Sequence, residues 1–182
     1  MNMKKVSVAM MVMMGLGMSS AQASDGTLNF TGSVASATCS VEAGSCALAV
    51  DFGAITRANI TALGSSGVTT PGLQKPISIK LAGCPESAST AKINFEGPVS
   101  SYNPNVFATG GTGKAMYVGA IIQDQAGNVI SANTFDGEFN SKVITPGNNT
   151  LTYLVGLTRT TYSSNPTVGT VDIPVTYTLS YQ

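Results

Sequence analysis

The last twelve residues, Val171 to Gln182, constrain the fold of this chain more than any other stretch. Val171, Ile173, Val175, Tyr177, Leu179 and Tyr181 place an apolar or aromatic side chain at every second position. Asp172, Pro174, Thr176, Thr178 and Ser180 lie between them. A helix turns every 3.6 residues and cannot gather such a set on one face, so the stretch reads as a half-buried strand. Six inward side chains suit a sheet interior rather than a fraying end. Pro174, however, has no N–H for a ladder, and proline sits where one side of a strand goes unpaired. The expectation is a core-quality strand with one open edge, which must be covered if it is not to aggregate.

The other end of the chain points to export. Lys4 and Lys5 precede an apolar run from Val6 to Met18, and Ala21-Gln22-Ala23 supplies small residues at the two recognised cleavage positions. A signal peptide over residues 1–23 is expected, with cleavage before Ser24. The run is too short for a membrane span of about 20 apolar residues. The remaining 159 residues make one ordinary domain, large enough for a proper core. Loss of Lys4 and Lys5 leaves seven basic against nine acidic residues, a net charge of −2, with no basic stripe to hold nucleic acid.

A second alternating strand stands at the start of the mature chain. Gly26, Leu28, Phe30, Gly32 and Val34 share one face, against Thr27, Asn29, Thr31 and Ser33. After the small residues 35–38 the apolar parity moves to Cys39 and Val41, which turns every side chain to the other face and separates the first dozen residues from the rest. The middle is a succession of short strands and turns. Leu48-Val50-Phe52, Ile77-Ile79-Leu81, Ile93-Phe95, Met116 to Gln123 with Val129-Ile130, and Leu151-Tyr153-Val155-Leu157 all alternate or cluster apolar residues. Residues 56–75 and 100–113 read as loops. Asp124 to Asn128 reads as a hairpin turn with Gly127 and Asn128 at positive φ. With no convincing helix and about seven short strands, the pattern argues an all-β sandwich of immunoglobulin type.

Catalytic chemistry finds little footing. There is no histidine, the commonest general base and metal ligand. Asp136 and Glu138 are the closest acidic pair and fall in a polar turn. Gly110-Gly111-Thr112-Gly113-Lys114 falls short of a phosphate loop, because alanines occupy 108 and 115 where glycine and Ser/Thr are required. No enzyme, cofactor or metal is expected. The three cysteines, Cys39, Cys46 and Cys84, suit an oxidising compartment and leave one over. Loop entropy does not choose the pair: closing 39–84 or 46–84 stabilises by roughly 4 kcal/mol either way, whereas 39–46 closes too small a loop to staple much.

Taken together, Gly26-Thr27-Leu28-Asn29-Phe30-Thr31-Gly32, Cys39-Ser40-Val41, Leu81-Ala82-Gly83-Cys84, the penultimate Tyr181 and Gly169, fourteenth from the end, resemble the subunits of chaperone–usher pili, closest to the type 1 fimbrial group. The likeness covers essentially the whole mature chain. It implies an incomplete immunoglobulin-like sandwich lacking its last strand, completed in trans by a donor strand. It implies a Cys39–Cys84 disulfide; Cys46 departs from the two-cysteine pattern and is expected to be a small buried apolar residue. It divides the mature chain into an N-terminal donor-strand extension (24–36) and a pilin domain (37–182). The donor face is Gly26, Leu28, Phe30, Gly32 and Val34. The acceptor groove and chaperone-binding strand would be Gly169, Val171, Ile173, Val175, Tyr177, Leu179 and Tyr181.

The partners implied are a periplasmic pilus chaperone, an outer-membrane usher and neighbouring pilin subunits in a head-to-tail polymer. Export through the periplasm to a fimbrium on the bacterial surface follows, with host or surface receptors met only through the assembled fimbria. Possession of both a donor strand and a groove suits an internal rod or a minor adaptor subunit. A secreted carbohydrate-binding sandwich, such as a tip adhesin, is the competing reading. It is disfavoured by the lack of tryptophan and of room for a lectin domain in 159 residues.

Overall fold

Most of the alternating stretches become antiparallel strands, and these form two sheets. The computed structural model describes residues 38–63, 67, 69–109 and 111–182. The expected signal peptide and the donor face of Gly26, Leu28, Phe30, Gly32 and Val34 lie outside the described residues. In chain order the strands are β1 (Ser40–Val41), β2 (Gln74–Cys84), β3 (Thr90–Glu96), β4 (Val99–Ser100), β5 (Asn103–Ala108), β6 (Val118–Gln123), β7 (Ser141–Val143), β8 (Gly147–Arg159) and β9 (Thr176–Tyr181). One sheet has the order β1-β2-β8-β6-β5-β4 and the other β7-β3-β9.

The core forms where the inner faces meet, as in any two-sheet sandwich. Ile79 and Leu81 of β2, Ile93 of β3 and Tyr153 of β8 are fully buried. Phe95 meets Tyr153 edge-on with ring centroids 5.4 Å apart, the arrangement favoured by the aromatic quadrupoles. The long β2–β8 ladder holds the first sheet, running from Gln74 opposite Gly156 to Leu81 opposite Asn149. A Cys39–Cys84 disulfide ties the chain leading into β1 to the end of β2, closing a separation of 45 residues. In the chain-entropy view that closure stabilises the fold by about 4 kcal/mol.

Several expectations are corrected. Residues 100–113 are not all loop: β5 buries Val106 and Phe107, and the polar Asn103, Pro104 and Asn105 before them hid the strand. The short β7 was unread, since three residues cannot display a period. Residues 56–75 contain a one-turn helix, α1 (Arg57–Thr61), started by Thr56, whose side chain accepts the Asn59 N–H at 3.3 Å. Its Ile60 is buried beside Leu63, Leu73 and Leu157. The Asp124–Asn128 hairpin is present, with the Asp124 N–H donating to the Asn128 carbonyl at 2.9 Å. Only Gly127 of the expected pair takes positive φ, at 87°.

Cys46 is exposed rather than buried. A 3-10 turn at Ala43–Ser45 aims Ser45 inward instead, where its hydroxyl accepts the Lys80 N–H at 2.9 Å. The next residue is thereby turned out to solvent. Neither Leu48–Phe52 nor the first part of the C-terminal stretch belongs to a ladder, although both were expected to be strands.

Candidate strand-binding groove

The C-terminal stretch is anchored at two separate places. At its start the Thr170 carbonyl accepts the Ala115 N–H at 2.9 Å and the Thr170 N–H donates to the Gly113 carbonyl at 3.2 Å. Gly169 makes this possible, because a Cβ there would come within 2.5 Å of the Ala115 nitrogen. Lys114 and Asp172 add an exposed ion pair at 3.0 Å, which contributes little by itself. From Thr176 the chain joins β3, with Tyr177 opposite Phe95, Leu179 opposite Ile93 and Tyr181 opposite Ala91. Among the described residues, no strand pairs with Val171–Val175 between these two anchorages.

A second unpaired segment faces it. The segment from Leu48 to Ile55, in which Leu48, Val50 and Phe52 alternate, has no ladder partner among the described residues. One end is fixed by the Tyr177 hydroxyl, which donates to the Ser45 carbonyl at 2.7 Å. At the other end Ile55 joins the cluster of Ala115, Val118 and Ile60, the region on which Gly169 also rests. The two segments are therefore rails running in opposite directions: Ser45 stands by Tyr177 and Ile55 by Gly169.

Between the rails is a groove of about 780 Å3. Its floor includes Ile77, Phe95, Phe107, Ile122, Val155 and Leu157, contributed by both sheets. Asp51 and Asp172 are the only charged groups among the described lining residues, and both are exposed. The Tyr177 phenol titrates above its ordinary range because burial, and secondarily the Cys46 thiol, disfavour its anion. It remains a hydrogen-bond donor across the neutral range. The site can thus accept a row of apolar side chains on its floor, with unpaired main-chain groups along its sides. That is the chemistry of β-strand addition.

Of the expected groove residues, Gly169, Val171, Ile173, Val175 and Tyr177 line the groove. Ile173, Val175 and Tyr177 are half-buried while Asp172, Pro174 and Thr176 are exposed, so the alternation is real even without pairing. Leu179 and Tyr181 are set apart: they lie beyond the groove and pack on the main core. The second rail was missed. Its signal was the Leu48-Val50-Phe52 alternation, but sequence parity cannot tell a paired strand from one lacking a neighbour. Among the described residues no cluster of His, Cys, Asp or Glu could hold a metal ion.

Comparison with known proteins agrees with this geometry. The family model described as Fimbrial protein matches residues 28–182. The chain is 29% identical to the Fimbria A protein of Serratia marcescens over the full length of both. It is 27% identical to the Pap fimbrial major pilin protein of Escherichia coli, across 86% of this chain and 84% of that one. A solved chaperone–usher pilus structure superimposes with a TM-score of 0.65 over 86% of this chain and 95% of that one, at 23% identity, and so shares the fold. The sandwich with two unpaired rails is the incomplete immunoglobulin-like fold of pilins. The chain therefore belongs to the fimbrial protein family, the structural subunits of chaperone–usher fimbriae.

Proposed function

We propose that the groove receives residues 24–36 of a neighbouring copy, and that repetition of this joint builds the fimbria. The observation that carries the reading is the pair of unpaired rails above an apolar floor. A strand laid between them would hydrogen-bond to both sides, and its alternate side chains would fill the groove. Length agrees: the donor face Gly26 to Val34 and the rail Gly169 to Tyr177 each span nine residues, or about 26 Å in extended form. Leu28 and Phe30 are the large side chains of the donor face, and burying each contributes about 1.5–3 kcal/mol. Because donor and groove sit on different parts of one molecule, the contact is heterologous and generates an open filament.

Fimbrial subunits are exported through the periplasm and stand on the bacterial surface. A bare groove would aggregate on the way, so a periplasmic chaperone lending a temporary strand, and an outer-membrane usher exchanging it for the next subunit's, are the partners this reading requires. The role is structural, without catalysis. Adhesion belongs to the assembled fimbria, and both donor and groove suit a rod or adaptor position.

The test joins residues 24–36 to the C-terminus through a flexible linker and removes them from the front. A stable monomer with a large gain in melting temperature over the parent chain is expected, and Phe30→Asp in the moved segment should abolish the gain. A parent that is already a stable monomer, unchanged by the transfer, would overturn the reading.

A further inference from the structure

The two ends of the groove are built differently, and this fixes where the next subunit's body must sit. At the Tyr177 end, the Ala43–Ser45 turn is tied to one rail by the Tyr177–Ser45 bond and to β2 by the Ser45–Lys80 bond. A hydrogen bond thus bridges the two rails at that end. At the Gly169 end, among the described residues, no hydrogen bond joins the rails. A donor segment that leads on into a folded domain therefore leaves at Gly169, with its Gly26 toward Tyr177 and its Val34 at the open end. Only five residue steps separate Val34 from Cys39, a reach of at most about 17 Å. The neighbour's end face, marked by its Cys39–Cys84 bridge, is thus held against the open end.

Both of these faces carry exposed apolar side chains. At the open end Met116 and Val168 are 56% and 83% exposed. They are held together because the Met116 N–H donates to the Thr167 hydroxyl at 2.8 Å and the Thr167 N–H to the Met116 carbonyl at 3.0 Å. At the far end of the same molecule Val143 is 85% exposed. It pairs with Thr90 and leads by a short turn to Gly147, opposite Cys84. The long C-terminal stretch runs from the first face to the second, where the Gln182 carbonyl accepts the Thr90 N–H at 2.9 Å.

The geometry points to a second head-to-tail contact: Met116 and Val168 of one subunit dock the end face around Val143 of the copy whose donor strand fills the groove. This rests on the strand-insertion reading above. Two or three apolar side chains make far too small an interface to associate freely. On a tether of four residues, the effective concentration reaches the millimolar range, and a weak contact is then occupied.

The experiment uses polymers of the full mature chain with a benzophenone amino acid in place of Val168. Illumination is expected to join each subunit to its neighbour within residues 82–86 or 142–147. Photoproducts confined to the subunit's own chain or mapping to another face, in polymers that still form, would overturn the contact and leave strand insertion standing. Failure of the unmodified chain to polymerise would overturn both. A Met116→Ser, Val168→Ser pair gives an independent readout: polymers should form as before but bend more easily, with a shorter persistence length in electron micrographs. An unchanged persistence length would overturn the proposal.

Discussion

The two halves of the C-terminal stretch carry one sequence pattern and have opposite fates. From Thr176 to Tyr181 the stretch has a partner: β3 supplies a ladder, and the half-buried Leu179 and Tyr181 pack against the core. From Val171 to Val175 the same alternation faces the groove with no strand beside it. The difference lies in what the rest of the chain offers each half. β3 ends at Glu96, opposite Thr176. Beyond it Gly97 lets the Pro174 carbonyl come so close that a Cβ would lie 2.7 Å away. Alternation is thus a property of a segment, whereas pairing is a property of its surroundings.

Truncating one side chain in each half tests this directly. Leu179→Ala should destabilise the isolated subunit by about 2 kcal/mol, because this half-buried side chain packs on the main core within a paired strand. Ile173→Ala should cost about 1 kcal/mol or less there, since this half-buried side chain lines the open groove and has no strand beside it. In the chain with the relocated segment 24–36, the Ile173 cost should rise toward that of Leu179. Urea midpoints for both variants and the parent in each background give the comparison, and equal costs in the isolated subunit would break it. A smaller effect is expected at the junction of the halves. Tyr177→Phe removes the bond to Ser45 and should lower stability by about 1 kcal/mol, with faster amide exchange at Lys80 as the turn loosens.

The smallest effect serves as a control at a residue outside the groove lining. Burial raises the Asp124 carboxyl, but the side chain and amide of Asn128 and the Lys142 ammonium outweigh it, so its net pKa lies below the ordinary 3.8. Protonation therefore favours the unfolded chain. The contribution is complete above 3.8 and is lost as the pH falls through the folded value. Melting temperatures of the parent and Asp124→Asn should converge on acidification, and to the same extent with or without the relocated strand.

What the sequence disclosed follows the same division. Strands with a buried face, such as Ile79-Leu81 and Leu151-Tyr153, announced themselves by parity, and so did the floor they give the groove. β5 did not, because Asn103, Pro104 and Asn105 mask two buried residues behind a turn-like composition. The exposed Cys46 and buried Ser45 were also illegible: a single 3-10 turn exchanges their places, and no period reports on three residues. The second rail was visible as alternation but not as a rail. Its want of a partner is a fact about the fold's connectivity rather than about Leu48, Val50 or Phe52.

The lengthwise run of the two rails also bears on mechanics. If, as proposed, a neighbour's strand seats between them and joins its own domain at the Gly169 end, it is pulled along its own axis when the fibre is stretched. Tension then loads the whole row of rungs at once, in shear, instead of peeling them open one after another. The Tyr177–Ser45 bond lies at the end away from the pull, so it adds nothing to this resistance. The strength of each link rests on the length of rail engaged, and shortening the donor by two residues should weaken a joint under force far more than it slows its formation.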